Sequence, residues 1–209
     1  TDRLILTLAS EQVDLLKKLS RIKGNSLFTS LLSVLAIFLS KISGKYSFGI
    51  AHLLAEQSLL NHYNLVGYCT DIIPFSVKID VDCQFETFLN TVNQQIVDNY
   101  SNISGSIHQL LKSNNKMLNL YTSPVIINHS KLFDASSIDN DDFGVSYLIN
   151  PTAFHTSQLF IDIVESNNEL SIHFNYNTAL FSNKTMLAWL GQLESIIESI
   201  IVDSTIQLN

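Results

Sequence analysis

Apolar residues recur along the first fifty residues with the period of a strand and then with that of a helix. Residues 3–8 form a short strand-like run, after which Ser10 can cap a helix. The apolar positions of that helix fall roughly on one face, at Val13, Leu15, Leu16 and Leu19. A second helix over residues 27–42 is apolar almost all round, which is typical of a buried helix. The pattern therefore predicts a strand, two helices and a further strand at residues 46–50.

The middle of the chain combines an irregular stretch, a strand and a helix. Residues 51–65 have no clear period and are predicted to form an ordered loop. Residues 71–79 have the pattern of a strand, but proline lacks a backbone donor, so we expect this strand to lie at a sheet edge or to be bulged at Pro74. The next apolar positions recur with a helical period, at Phe85, Phe88, Leu89, Val92 and Ile96.

The second half of the chain is rich in strands. Compact apolar runs predict strands at 124–128, 147–149, 159–164 and 170–176. The last two flank residues 166–168, whose Ser-Asn-Asn sequence favours a hairpin turn. A short helix is predicted at 107–111, the acidic, serine-rich stretch at 134–142 is expected to be mobile, and Ser182 can cap a final apolar helix.

This order of elements predicts the fold class. Early strands separated by helices, followed by a late antiparallel hairpin, imply an α/β two-layer sandwich, a mixed β-sheet with helices mainly on one face. A chain of 209 residues fits one domain or one large lobe. It starts on a strand-like segment without an initiator methionine, which predicts that it is part of a longer protein.

Composition excludes several classes of protein. With 46% hydrophobic and 15% charged residues, the chain has ample material for a core, and disorder is excluded. A formal net charge of −7 with scattered basic residues argues against nucleic-acid binding. The longest apolar run, residues 27–39, is too short for a bilayer, which needs about 20 apolar residues. No signal peptide is evident, and Cys69 and Cys83 form no disulfide framework, so we expect a cytoplasmic protein without membrane contact.

No self-contained catalytic or metal-binding motif is visible. None of the six histidines has the spacing of a zinc site, and the glycine-rich phosphate loops and the Gly-x-Ser-x-Gly turn are missing. His173, within an alternating strand, is interpreted as a surface or satisfied sheet residue. The acidic run 139–142 lacks the glycine and glutamate of a calcium loop. These patterns alone predict an α/β domain with no catalytic residue and no bound metal.

Five segments, in order, resemble the second half of the condensation domains of non-ribosomal peptide synthetases, and the likeness covers nearly the whole chain. The helix pair at 8–32 resembles the opening of that half, and residues 43–50 are similar to its Gly-containing strand segment. Residues 66–75, with the sequence VGYCTDIIPF, resemble the family's motif Val-Gly-Phe-x-Asn-Thr-Leu-Pro-Leu-Arg. Residues 175–181, NYNTALF, resemble the segment that introduces its last helix, and 201–208 are similar to its end.

The resemblance implies that residues 1–209 are the C-terminal lobe of a chloramphenicol-acetyltransferase-like pseudo-dimer. The reaction would occur in a tunnel between two lobes, where an amine on one carrier protein's phosphopantetheine arm attacks a thioester on another and forms an amide bond. The implied partners are the N-terminal lobe of the same domain, peptidyl or acyl carrier proteins and an adjacent adenylation domain, with no cofactor bound directly. This chain would supply a tunnel wall, a floor loop at Ala51–Leu65 and a latch at Phe143–Gln158.

Candidate tunnel or lobe-interface residues follow from the same resemblance: His52, Gln57, Asp71, Pro74 and His155. Gln57 replaces an arginine that the family usually has, Asp71 replaces an asparagine and Ser76 an arginine. The family's active-site signature, His-His-x-x-x-Asp-Gly, belongs to the other lobe and does not occur here.

Three alternatives stay open. The departures at Gln57, Asp71 and Ser76 favour a non-catalytic, condensation-like module that docks a carrier protein or another enzyme. The tripeptide at 142–144, Asp-Phe-Gly, resembles the start of a structural motif of related acyltransferases, although the tryptophan of that motif is missing. An unrelated α/β binding domain with chance similarity is the third.

Overall fold

A computed structural model describes residues 1–22, 24–55, 64, 66–67, 69–101, 123–132, 154–166 and 169–208. The strands in this part of the chain are β1 (Asp2–Leu8), β2 (Ser47–Ala55), β3 (Thr70–Lys78), β4 (Val125–Lys131), β5 (Leu159–Ser166) and β6 (Glu169–Tyr176). The helices are α1 (Ser10–Ile22), α2 (Leu27–Ser43), α3 (Phe85–Ser101) and α4 (Asn183–Val202). In the described residues, the order of strands and helices is the one that the apolar pattern predicts.

The six strands form one mixed sheet in the order β1-β6-β5-β4-β2-β3. β2, β4 and β5 run parallel to one another, whereas β1 with β6, β5 with β6 and β2 with β3 pair antiparallel. The hairpin predicted around residues 166–168 is confirmed, with Ser166 opposite Glu169. The predicted fold class, a mixed sheet with helices mainly on one face, is therefore confirmed.

One face of the sheet carries the hydrophobic core. A row of side chains from neighbouring strands points toward the helices: Phe174, Ile161, Ile127, His52 and Ile73. Phe38 of α2 lies on this row, with its ring centroid 5.7 Å from that of Phe174. α2 in turn contacts α1, α3 and α4, so the four described helices share this face. The opposite face, on which no described helix packs, is called the far face below.

Helix α2 is buried on all sides, as its continuous apolar pattern predicts. Every residue from Thr29 to Ser40 is buried. Ser26 caps its start by accepting a hydrogen bond from the Thr29 N–H at 3.0 Å. Gly44 ends it with φ 65°, a left-handed conformation that favours glycine, and its N–H donates to the Ser40 carbonyl. The buried serine hydroxyls of α2 are satisfied locally, for example between Ser30 and Ser20 at 2.8 Å.

Two predictions about local structure were wrong. Residues 51–55 are not the start of a loop, because β2 continues to Ala55 while pairing with β3 and, at Ala51 and His52, with β4. Leu15 is 39% exposed, because Val13 and Leu16 already occupy the buried side of α1 and Leu15 lies about 100° away from Leu16. The predictions at 107–111, 134–142 and 147–149 lie outside the described residues.

The prediction that this strand lies at a sheet edge or is bulged at Pro74 is confirmed by its edge position. β3 is the last strand of the sheet, and Pro74 lies opposite Ala51 of β2. The carbonyl of Pro74 accepts a hydrogen bond from the Asn99 side chain of α3 at 3.4 Å. The middle of this edge therefore offers a neighbouring strand no backbone donor, and its acceptor is already bonded.

Helix α4 is apolar enough, over 20 residues, to cross a membrane by length and composition, with a mean hydropathy of 1.3. In the described part of the chain, α1 and α2 pass the same test only as one span bent by 106°. One side of α4 is buried, at Met186, Leu190, Leu193, Ile197 and Ile200. A core helix packed on a sheet has the same pattern, so α4 is described as a core helix.

Removing the cap of α4 gives a measurable loss of stability. The Ser182 hydroxyl accepts a hydrogen bond from the Thr185 N–H at 3.1 Å, and both residues are exposed or half-exposed. We expect Ser182→Ala to lower the free energy of unfolding by about 1 kcal/mol in urea denaturation, since an unpaired helix donor remains. Ser195→Ala, on the exposed middle of the same helix, is the control and should change stability by less than about 0.5 kcal/mol. An equal loss in both variants would contradict the capping role.

Candidate functional site

Polar side chains meet on the far face of the sheet, in the middle of its central strands. Asp162 of β5 lies directly opposite His173 of β6 on one side and Asn128 of β4 on the other. These three side chains point away from the helices because side chains alternate along a strand and Ile161 and Phe174 point toward the helices. Two strands that are distant from β4 in sequence thus contribute to one polar patch.

The carboxylate of Asp162 is held by neutral groups. Its Oδ1 atom accepts hydrogen bonds from Asn128 Nδ2 at 2.9 Å and from Ser130 Oγ at 3.3 Å. Asp162 is half-buried, and in the described residues no cationic side chain lies within ion-pair distance of it. The carboxylate is oriented by its neighbours, but its charge is not neutralised by them.

His173 and His155 are neutral hydrogen-bonding groups beside this carboxylate. Burial lowers the pKa of His173, as does the charge of Arg3, while Asp162 acts to raise it. Nε2 of His173 lies 2.8 Å from Ser171 Oγ, whereas its Nδ1 is buried without a described partner. His155 stacks on Phe160 with ring centroids 4.7 Å apart, and burial lowers its pKa too. Both imidazoles are therefore uncharged at neutral pH.

One further group, a cation, completes the far-face patch. Arg3 of β1 donates from Nε to Asn175 Oδ1 at 2.6 Å. The patch presents hydrogen-bond donors and acceptors on one face of the sheet, including the Ser171 hydroxyl that is bonded to His173, so it is suited to binding a ligand.

A second cluster of histidines lies on the helix side of the sheet. His52 is fully buried between Phe28 and Tyr100, with ring centroids 5.6 and 5.9 Å away. Burial lowers the pKa of His52 to about 4, although its weak contact with the Leu53 carbonyl acts in the opposite direction. The expectation that His52 follows a strand end was wrong, because it lies within β2 and pairs with Ile73 and Ile127.

His129 belongs to a polar edge of the same cluster. It stacks on Phe28 at 5.7 Å, and its Nε2 lies 3.6 Å from Oε2 of Glu165. Burial lowers the pKa of His129 despite that carboxylate. Burial acts to raise the pKa of Glu165, but the Lys17 ammonium, 3.0 Å from Oε1, lowers it overall. Glu165 is thus a neutralised carboxylate, unlike Asp162 on the same strand.

The residues selected from the sequence do not form one site in the described structure. His52 lies on the helix side, while Pro74 and His155 belong to the far face. Asp71 lies on β3, where its Oδ1 accepts a hydrogen bond from the Ile72 N–H at 2.8 Å. Gln57 and most of the floor and latch segments lie outside the described residues. The tunnel and interface roles of these residues stay predictions.

Sequence reasoning missed Asp162 and treated His173 as an ordinary sheet residue. A signal for both existed, since the hairpin around 166–168 places Asp162 and His173 opposite each other. The described residues contain no group of three or more side chains that could hold a metal ion. An apolar cleft of about 310 Å³ lies at the N-terminal ends of β2, β4 and β5, lined by Phe48, Phe181 and Trp189 among others.

Comparison of the sequence with known proteins gives one family. The family model for the condensation domain matches residues 1–209. Similar curated proteins include gramicidin S synthase 2 from Brevibacillus brevis, 23% identical over 98% of this chain, and surfactin synthase subunit 1 from Bacillus subtilis (strain 168), 20% identical over 95%. The chain spans only 5% and 6% of the length of these two relatives.

Solved structures have the same fold. The condensation domain of the monacolin K polyketide synthase MokA matches 99% of this chain with a TM-score of 0.85 and 11% identity. The first condensation domain of the CDA synthetase matches with a TM-score of 0.71 and 13% identity. The chain covers 48% and 46% of those two chains. The X-domain solved in complex with OxyB from teicoplanin biosynthesis matches with a TM-score of 0.75 and 15% identity.

The family match over the full length, the related peptide synthetases and the shared fold agree with one another. The chain therefore belongs to the condensation domain family, whose members here come from non-ribosomal peptide synthetases and related synthases.

Proposed function

We propose that this chain is the C-terminal lobe of a condensation domain that forms amide bonds between carrier-bound acyl and aminoacyl thioesters. The active-site histidines would come from the N-terminal lobe, since their signature is missing from residues 1–209. This chain alone would then be inactive. Its contribution would be to form one side of the substrate tunnel and to position the two substrates.

The observation that carries this proposal is the share of the solved condensation domains that this chain covers. The chain fills 48% and 46% of two solved chains described as condensation domains, so a comparable length of such a domain lies outside it. The far face supports the same division, because its centre carries polar side chains and no described helix packs on it. We propose that the far face is the tunnel wall. A hydrogen-bonding wall suits a phosphopantetheine arm, which presents amides along its length.

The ends of the floor and latch segments agree with this placement. The floor segment, Ala51–Leu65, begins inside β2, whose last described residue is Ala55. The latch segment, Phe143–Gln158, ends where His155 stacks on Phe160 of the far face. Both segments would therefore border the same wall. Carrier proteins and an adenylation domain are the proposed partners, because a four-domain nonribosomal peptide synthetase is among the similar structures. A cytoplasmic location remains part of the proposal.

A non-catalytic docking module is the second candidate. The similar X-domain was solved in complex with OxyB, so a protein of this fold can bind a partner protein. Gln57, Asp71 and Ser76 depart from the family pattern, and glutamine cannot replace the fixed five-donor fork of arginine. If the parent domain is a docking module, Gln57→Arg in that parent should leave activity at zero, and a clear gain would contradict this candidate.

The test compares this chain with its full-length parent. Both are mixed with the parent's carrier proteins, loaded with aminoacyl-phosphopantetheine, and product bound to the acceptor carrier is measured by mass spectrometry. We expect product from the parent and none from the 209-residue chain. The control is the parent with alanine at the second histidine of the upstream signature, which should lose about 10²-fold or more in rate. Product formed by this chain alone would overturn the division between lobes.

A further inference from the structure

The geometry points to a binding site for a primary ammonium group on the far face, with Asp162 as its anionic ligand and His173 as its hydrogen-bonding neighbour. The inference rests on the proposed function, because it assigns to the tunnel wall a preference for a substrate with a cationic side chain, such as lysine or ornithine. It assigns a substrate class to a surface that the proposed function describes only as a tunnel wall.

The first argument is the charge of Asp162. Its described hydrogen bonds come from an amide and a hydroxyl, both to Oδ1, so Oδ2 has no hydrogen-bond donor among the described residues. A half-buried carboxylate with neutral partners lacks the compensation that buried charges normally have. Glu165, three residues further along β5 and on the other face, has that compensation from Lys17 at 3.0 Å. One strand thus carries one neutralised carboxylate and one that is oriented but not neutralised.

The second argument is the set of polar atoms without partners around it. His173 is only 4% exposed, lies directly opposite Asp162 and leaves Nδ1 without a described partner. Nε2 of His155, which stacks on Phe160 of the same face, is also buried without a described partner. Leaving a buried donor or acceptor unpaired is unfavourable, so such groups commonly mark a place where a ligand or water completes the bonding. An ammonium group has three donors and can bond to a carboxylate and a neutral imidazole nitrogen together.

The third argument concerns the sign of the charge. The charge of Arg3 lowers the pKa of both His155 and His173. Its guanidinium is bonded to Asn175, which lies two residues along β6 from His173, the residue opposite Asp162. An anionic ligand placed beside His173 would have to approach the Asp162 carboxylate. The stacked rings of His155 and Phe160, together with Ile5, which is 52% exposed next to His173, supply apolar surface for an aliphatic stem. A charged tip on an aliphatic stem matches both parts of the surface.

The ammonium group assigned to Asp162 is a side chain and not the reacting amine. An amine that attacks a thioester must carry a lone pair, whereas an ammonium group held by a carboxylate is protonated. Asp162 would therefore select and position the substrate and would not take part in the chemistry.

The test measures binding directly and does not depend on catalysis. The chain is titrated with Nα-acetyl-lysine methylamide, and the imidazole ¹⁵N resonances of His173 and His155 are followed by NMR. Nα-acetyl-norleucine methylamide, which lacks only the ammonium group, is the matched probe. We expect the lysine probe to bind about tenfold more tightly or better, and Asp162→Asn to remove that difference, since a hydrogen-bonded ion pair outweighs a neutral contact. Glu165→Gln, the same change of charge on the opposite face, should keep the difference.

Each outcome decides the inference. Equal binding of the two probes, no binding of the lysine probe, or an unchanged preference in Asp162→Asn would overturn it. Thermal unfolding of the variants, followed by circular dichroism, shows whether they are folded. Asn128→Ala removes the amide that is bonded to Asp162 Oδ1, and this second variant should weaken the preference for the lysine probe. If the parent forms amide bonds but no charge preference is found, the inference fails and the proposed function stands. If the preference is found but no amide bond is formed, the proposed function fails and the binding site stands.

Discussion

Replacing Phe38 with alanine is expected to lower the free energy of unfolding by about 3–5 kcal/mol. Phe38 is fully buried in α2, and its ring contacts Phe174 of the sheet and Trp189 of α4, with ring centroids 5.7 and 6.4 Å away. Truncation removes the apolar contact that joins three elements and leaves a cavity that the surrounding rigid helices fill only in part. Since the stability of a domain is typically about 5–15 kcal/mol, this loss could unfold much of the population.

Urea denaturation, followed by circular dichroism, measures the effect of this substitution. The control is Leu187→Ala on α4, where the side chain is 54% exposed and contributes little to the core. We expect the control to change the free energy of unfolding by less than about 0.5 kcal/mol. A loss below 1 kcal/mol in Phe38→Ala would contradict the central position of α2, and equal losses in both variants would contradict the assignment of the buried side of α4.

Acidification is expected to lower the free energy of unfolding by about 3 kcal/mol between pH 7 and pH 4 through His52 alone. The pKa of His52 in the folded chain is lowered to about 4 from its ordinary value of 6.5, because its imidazole is buried among Phe28 and Tyr100. Between these two values the unfolded chain binds the proton and the folded chain does not. Stability is therefore fully present above pH 6.5 and is lost as the pH falls toward 4.

The test compares urea denaturation at pH 7 and at pH 4.5 for the natural chain and for His52→Leu. We expect the variant to lose much less stability on acidification. Part of the dependence of the free energy of unfolding on pH should remain, because burial also lowers the pKa of His129, His155 and His173. His155→Gln, at a less buried position, is the control and should keep most of the slope. An unchanged slope in His52→Leu would show that the imidazole is hydrated or paired in the folded chain.

Local sequence rules predicted those elements whose apolar period is unbroken or whose ends carry capping residues. Helix α2 satisfies both conditions, with a continuous apolar run between Ser26 and Gly44. The hairpin of β5 and β6 was predictable because its turn residues lie between two alternating segments. The edge position of β3 followed from Pro74, since a missing backbone donor is a local property with a consequence for the whole sheet.

The end of β2 was not predictable from period alone. A strand with neighbours on both sides and a covered face loses the alternation that marks a half-exposed strand, and Ala51 to Ala55 have neighbours in β3 and partly in β4. The role of His52 was missed for the same reason, because a histidine after an apparent strand end resembles a loop residue. Its fully buried position depends on Phe28 and Tyr100, which are distant in sequence.

The far-face patch combines residues that no short motif connects. Asn128 and Asp162 are neighbours only because β4 and β5 pair in parallel, and parallel pairing requires a long connection between the strands. By contrast, the order of the weak motifs was sufficient to identify the family. Five segments that occur in the same order as in the family carry more information than any one of them. The family could therefore be predicted from the sequence, whereas the arrangement of charges on its sheet required the structure.

The edge at Pro74 has a consequence for how such a chain avoids amyloid-like growth. A sheet extends by adding strands to unpaired backbone groups, and an exposed edge is the usual starting point for domain swapping and fibril formation. At the centre of β3 the donor is absent and the acceptor is bonded to Asn99, so an incoming strand would find a gap in its ladder of hydrogen bonds. Aggregation from a partly unfolded chain should then start at other segments, and the sequence around Pro74 acts as a barrier to strand addition.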